Sequence, residues 1–166
     1  MNNEITNFLF RKPEKQDAAE IYALLQPYKP YVGTSPLYTY LMICEYFCDT
    51  SVVVINDHHE IIGFMSGFLA PTKQQTLFIW EIAVKNGYHG NNLYIRMAKE
   101  LYARNKPRYI ELTVNPSNTQ SIKRINQLAE IFSCPCKVIP LFPSEYFGDC
   151  KHEDEVLYRV GAIGEI

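Results

Sequence analysis

The chain has 166 residues, 47% of them hydrophobic and 20% charged, with a net charge of −2 at pH 7. That length and composition suit a single domain, 1–166, with a sizeable core, and they exclude wholesale disorder. With no basic excess to neutralise phosphates, nucleic-acid binding is not the expected job; no apolar run approaches the roughly 18–20 residues of a membrane span.

Residues 8–11 alternate weakly and read as a short strand before the turn at Lys12-Pro13. Residues 15–26, KQDAAEIYALLQ, place Ala18, Ile21, Tyr22, Leu24 and Leu25 at helical spacing, and Pro27 and Pro30 stop that helix. Residues 36–47 predict a second helix with Pro36 near its first turn, where a missing N–H costs little. The β-branched run 51–55 is a buried strand, and Asn56 to Glu60 is a turn into the next strand, 61–69. Residues 77–84, LFIWEIAV, form another strand, followed by the polar loop 85–92 with two glycines and an amphipathic helix over 93–103. A strand over 109–114 leads through Asn115-Pro116-Ser117-Asn118 to a helix near 118–131, and strands over 136–139 and 156–160 close the chain. Antiparallel hairpins followed by a βαβ passage predict an α+β fold, a central mixed twisted sheet flanked by helices.

Five cysteines at irregular spacing, with Cys134-Pro135-Cys136 as C-x-C, form no zinc or redox motif, and none of the four histidines joins them; no metal is expected. The first residues show no basic segment followed by an apolar stretch and a cleavage site, so the cytoplasm is the expected compartment. Twelve Tyr and nine Phe against one Trp suggest an aromatic pocket or a dimer contact.

The most informative local feature is the passage from strand 77–84 through the loop to helix 93–103. A helix that starts just after a strand offers unpaired N–H groups and a positive dipole end, which suit phosphate oxygens. Gly87 and Gly90 let the backbone turn and approach a ligand closely, although glycines in an ordinary βα turn would look the same. With the element order, this stretch resembles the GCN5-related N-acetyltransferase (GNAT) superfamily. The resemblance implies that the backbone of Ile82, Ala83 and Val84 pairs with the pantetheine arm of acetyl-CoA. It also implies that His89, Gly90, Asn91, Asn92, Leu93 and Tyr94 wrap its pyrophosphate, with Asn118 capping its helix or touching the cofactor arm. His89, Asn92 and Tyr94 depart from the family pattern, which has Gln or Arg, Gly, and Gly or Ala at those places. Asn tolerates the left-handed backbone that Gly would take, whereas Tyr94 is expected to crowd the helix start.

A closer resemblance rests on Tyr38-Thr39-Tyr40-Leu41 through Asp49-Thr50-Ser51-Val52-Val53, on residues 76–84, on Thr113-Val114-Asn115-Pro116-Ser117-Asn118, on Pro140-Leu141-Phe142, and on Gly148 with HEDEVLYR at 152–159. These segments resemble the L-2,4-diaminobutyrate acetyltransferases of ectoine biosynthesis. The resemblance implies acetyl transfer from acetyl-CoA to the side-chain amine of a small diamino acid, and a homodimer. One departure bears on the substrate: relatives carry an acidic residue where this chain has Gly33.

Acetylating an amine requires its ammonium, with a pKa near 10.4, to lose a proton. Glu81 is the first candidate base, against the plainer reading of a strand carboxylate paired with a lysine. Trp80 is a candidate to enclose the substrate's alkyl chain, or else a core aromatic. Period-two alternation joins Glu153 with Glu155 if the last strand starts early, and His152 meets Glu155 only if that stretch is still a turn; the likeness favours His152 and Glu155 as substrate ligands. Tyr38 is the pocket candidate by resemblance and Tyr40 reads as packing; with Ile125 where the superfamily places a tyrosine acid, the acid is left to Tyr38 or to solvent. Two further readings keep the fold: an acetyltransferase for another small diamine, or an acyl-CoA-binding domain without turnover.

Overall fold

A computed structural model of the protein describes residues 7–28 and 35–164. Its elements are β1 (Leu9–Arg11), α1 (Ala18–Leu25), α2 (Leu37–Tyr46), β2 (Val52–Ile55), β3 (Ile61–Leu69), β4 (Thr76–Val84), α3 (Leu93–Asn105), β5 (Tyr109–Val114), α4 (Thr119–Ile131), β6 (Cys136–Phe142) and β7 (Glu155–Val160). The strands run in the order β1-β2-β3-β4-β5-β7-β6, a mixed sheet in the α+β class predicted above. Most boundaries shift by one or two residues from the sequence reading, and two differ by more. The first helix opens with a 3₁₀ turn at Lys15–Asp17. β6 runs through Pro140 to Phe142, because an edge strand tolerates a residue with no N–H to donate. No helix among the described residues is long and apolar enough to cross a membrane.

By packing, the chain divides into two compact units, Met1–Phe68 with Glu81–Lys106, and Leu69–Trp80 with Pro107–Ile166. In the first, β1 and β3 flank β2 antiparallel, with Phe10 opposite Val54 and Val53 opposite Phe64. Ile21 and Leu25 of α1 and Tyr40, Ile43 and Cys44 of α2 bury against Val53, Phe64 and Ala83. Arg11 donates to both oxygens of Asp17 at 2.6 and 2.9 Å, tying β1 to the start of the helix pair. Gly63 lies under α3: a Cβ there would sit 3.1 Å from Val54 Cγ2 and 3.6 Å from Met97 Sδ, so glycine keeps the strand clear.

In the second unit, β5 and β7 pair antiparallel with Glu111 opposite Arg159, and β6 pairs with β7. Leu77, Ile110, Ile125, Leu128 and Val160 are buried in it. Glu111, also buried, bonds Arg159 and receives Lys73 Nζ at 2.7 Å. The Arg159 guanidinium lies 3.7 Å from the centroid of the Tyr109 ring. The parallel ladder of β4 with β5 runs only from Thr76 opposite Tyr109 to Phe78 opposite Glu111. β4 continues past that point to Val84, so its later backbone groups are not used by this ladder.

Candidate active site

β4 carries two of the candidate residues side by side, and strand geometry separates them. Successive side chains of a strand face opposite sides. Trp80 is accordingly 52% exposed, while Glu81 is 5% exposed. Glu81 Oε1 accepts from Tyr40 Oη and from Ser35 Oγ, each at a long 3.5 Å. Oε2 is buried and has no hydrogen-bond partner among the described residues. Burial pushes the Glu81 carboxyl up to about 7, against the pull of the two hydroxyls, which favour the ionised form. A carboxylate in that range holds a proton and releases it near neutral pH, the behaviour required of a general base.

Helix geometry explains why Tyr40 and not Tyr38 reaches this carboxylate. Two residues along a helix turn through about 200°. Tyr40 is fully buried and Tyr38 is 69% exposed on the outer side of α2. Tyr40 does pack, as its sequence reading has it, edge-on against Phe64 with ring centroids 6.3 Å apart, and tilted against Tyr22 at 6.0 Å. That reading missed its hydroxyl. The signal available was the phenol itself, since a buried Tyr needs a partner for its O–H. Gly33, where relatives carry an acidic residue, lies outside the described residues.

The loop after β4 is anchored at its start and at its middle. Tyr28 Oη donates to Val84 O at 2.5 Å, and Asn56 Nδ2 donates to Tyr88 Oη at 3.1 Å. Gly87 has φ +91°, a conformation that disfavours any side chain, whereas Gly90 has an ordinary φ and open space where a Cβ would stand. His89 to Asn91 form a short 3₁₀ turn, and His89 Nε2 lies 3.3 Å from Asn86 Oδ1. Asn92 takes the left-handed conformation, φ 52° and ψ 28°, that its place in the loop predicts. Its side chain makes no cap to α3, so the first N–H groups of a 13-residue helix are not consumed by that residue. Leu93 and Tyr94 both turn into the core. The expected crowding by Tyr94 is therefore corrected: its ring is drawn inward with Leu93 and Met97.

In the second unit, residues 151–154 have no regular structure and β7 begins at Glu155. The turn brings His152 Nε2 to 3.8 Å from Glu155 Oε1, and Glu155 accepts from Asn115 Nδ2 at 3.2 Å. The His152 ring stacks on Phe147 at 4.0 Å. The neighbouring acids are spent elsewhere: Glu153 accepts from Ser117 Oγ at 2.5 Å, and Asp154 from Ser144 N at 2.7 Å. Of the two pairings left open by the sequence, His152 with Glu155 is the one found. Asn118 caps α4 by accepting from Ser121 N at 3.1 Å, and Ile125, further along that helix, is fully buried. No cluster of three metal-ligating side chains occurs among the described residues.

The profile of the Acetyltransferase (GNAT) family matches residues 18–128. The chain belongs to that family. Within it, the chain is 37% identical to the L-2,4-diaminobutyric acid acetyltransferase of Virgibacillus pantothenticus, over 91% of this chain and 96% of that one. It is 31% identical to the Marinococcus halophilus protein of the same name, over 96% and 93%. Among solved structures, the diaminobutyrate acetyltransferase EctA of Paenibacillus lautus, in complex with L-2,4-diaminobutyric acid and coenzyme A, is 30% identical. It superposes with a TM-score of 0.89 over 97% of this chain and 98% of that one. A GNAT fold thus frames both the β4–α3 passage and the buried Glu81.

Proposed function

We propose that the chain transfers an acetyl group from acetyl-CoA to the 4-amino group of L-2,4-diaminobutyrate, the acetylation of ectoine biosynthesis, and that 1–166 works as one acetyltransferase domain in the cytoplasm. The observation that carries this reading is the near full-length likeness to an enzyme bound to that substrate and to coenzyme A.

The residues fit the cosubstrate. The start of α3, which the Asn92 side chain does not cap, the positive φ of Gly87 and the open side of Gly90 suit a pyrophosphate held by His89, Gly90, Asn91, Asn92, Leu93 and Tyr94. The later residues of β4, Ile82, Ala83 and Val84, offer backbone to the pantetheine arm. Asn118 keeps its cap and stands at the head of α4. Acetyl-CoA supplies the acyl thioester; the chain must bind it and deliver a neutral amine. Glu81 takes the ammonium proton, the neutral amine attacks the thioester carbonyl, and the new C–N bond forms as the C–S bond to coenzyme A breaks, the thiolate leaving as the thiol with the second amine proton. Its half-ionised state near neutral pH suits that exchange. The amino acid's charged groups are assigned to His152 and Glu155, its alkyl chain to Trp80, and a further substrate contact to Tyr38, exposed on α2.

A different diamine is favoured by Gly33, which offers no side chain where the family resemblance leads one to expect a carboxylate for the substrate ammonium. The reading without turnover loses its motive, because Asn92 and Tyr94 both find conformations compatible with the loop. CoA release measured with a thiol reagent across diaminobutyrate, ornithine, lysine and simple diamines decides among the three. Turnover with diaminobutyrate is the expected result; turnover with another amine alone selects the second reading, and calorimetric binding of acetyl-CoA without thiol release selects the third.

A homodimer is also proposed. Val138, Ile139 and Phe142 are exposed on β6, a seven-residue edge strand of a kind that proteins usually cover. Sedimentation at micromolar concentration should give a species near twice the monomer mass.

A further inference from the structure

We propose that Tyr40 and Ser35 are positioning residues for Glu81: their hydroxyls hold Oε1, so that Oε2 is the oxygen left to receive the amine's proton. The inference rests on the reading of Glu81 as the base.

Three observations carry it. First, Oε1 has two donors and Oε2 has none among the described residues, although both belong to a buried carboxylate. A carboxylate oxygen buried without a partner is costly. With one oxygen paired twice and the other without a partner among the described residues, Oε2 is the one open to something that arrives with substrate. Second, the donors are mounted stiffly. The Tyr40 ring is fully buried and in contact with Tyr22 and Phe64, so its hydroxyl has little freedom to leave Oε1. Ser35 stands two residues ahead of α2, and its position follows from the same helix start. Third, Tyr40 is suited to donate and not to exchange protons. Burial, and then the charge and hydrogen bond of Glu81, hold its phenol well above the ordinary value, so it stays protonated while Glu81 titrates. Ser35 and Tyr40 are the groups that act on Glu81; no charged side chain among the described residues contributes to its titration.

Long 3.5 Å contacts are expected before substrate is in place, since such bonds often tighten in the productive complex. The competing account makes Tyr40 a packing residue only. The two differ in what removing one oxygen does. Tyr40→Phe keeps the ring and its contacts and deletes the donor that favours ionised Glu81.

The experiment compares kcat/KM against pH for wild type, Tyr40→Phe, Ser35→Ala and Glu81→Gln, with acetyl-CoA and the best amine of the panel above. In parallel, the carboxyl carbon of Glu81 is titrated by NMR in the free protein. Wild type should lose activity as pH falls through the Glu81 range, and Glu81→Gln should abolish that limb together with most of the rate. Tyr40→Phe should move the midpoint, and the carbon titration with it, upward by roughly half a pH unit or more. It should also lower kcat about tenfold while the KM for acetyl-CoA stays near wild type. Ser35→Ala should move both in the same direction, by less. If Glu81→Gln removes the limb but neither hydroxyl variant moves the midpoint, the positioning role is wrong and the base stands. If Glu81→Gln keeps the limb, the base assignment fails and this inference with it. A Tyr40→Phe protein that does not fold leaves Ser35→Ala and the carbon titration to decide the matter.

Discussion

At the scale of single residues, the loop between β4 and α3 shows how a departure from a family pattern is absorbed. Asn92 sits where the family resemblance leads one to expect glycine, and it holds φ at 52°. A left-handed backbone costs most residues roughly 1–2 kcal/mol, and Asn less than most. Asn92→Gly should therefore fold at least as stably as wild type and bind acetyl-CoA comparably. Asn92→Val should lose roughly 1–2 kcal/mol in urea denaturation and weaken acetyl-CoA binding in calorimetry. Tyr94 argues the opposite way. Because its ring is buried, Tyr94→Gly would remove core packing and add a helix glycine instead of relieving the loop, so it should destabilise by roughly 3–5 kcal/mol and not tighten the cosubstrate. The conformation of Asn92 was legible in the sequence because backbone sterics are local. The direction of the Tyr94 ring was not, because it depends on which face of α3 meets the core.

At the scale of elements, helical spacing in stretches such as Ala18–Leu25 and continuous β-branched runs such as Val52–Ile55, buried on both faces, located almost every strand and helix. Partners across a ladder are different information. The alternation of β5 showed that Glu111 and Thr113 share a face, yet nothing in it revealed that register sets Glu111 opposite Arg159. The same limit hid the Tyr40–Glu81 contact, which joins a helix to a strand 41 residues away. Register has an energetic consequence here. Glu111 is a buried carboxylate compensated by Arg159 and Lys73, and losing one partner of such a group costs far more than losing the whole pair. Arg159→Met should cost roughly 3 kcal/mol in urea denaturation, partly relieved by Lys73. The double variant Glu111→Met with Arg159→Met should recover most of that loss, giving a coupling that a double-mutant cycle reads directly. Additive losses would mean that the two side chains do not act as a pair.

At the scale of the whole molecule, two buried carboxylates pull stability in opposite directions with pH. Burial alone would raise the Asp17 carboxyl, but the Arg11 guanidinium and the Glu14 N–H outweigh it and hold it below the usual carboxylate range. Its contribution is present above the unfolded value and fades as pH falls. Glu81 is raised instead, from an ordinary value of 4.5 to about 7. The folded state then holds a proton that the unfolded chain has already released, so the Glu81 contribution is complete below about 4.5 and is lost as pH rises to about 7. Ionising this one side chain in the fold costs on the order of 3 kcal/mol, enough to move the melting temperature of a domain this size by roughly 5–10 °C. The wild-type melting temperature should therefore fall between pH 5 and pH 8, the range in which a base at Glu81 becomes active. Stability and catalysis would be set against each other by a single proton. Glu81→Gln, neutral at every pH, should match wild type near pH 5, melt higher than wild type at pH 8, and turn over poorly at both. Scanning calorimetry at the two pH values measures the difference, and equal slopes for the two proteins would show that some other group titrates in that window.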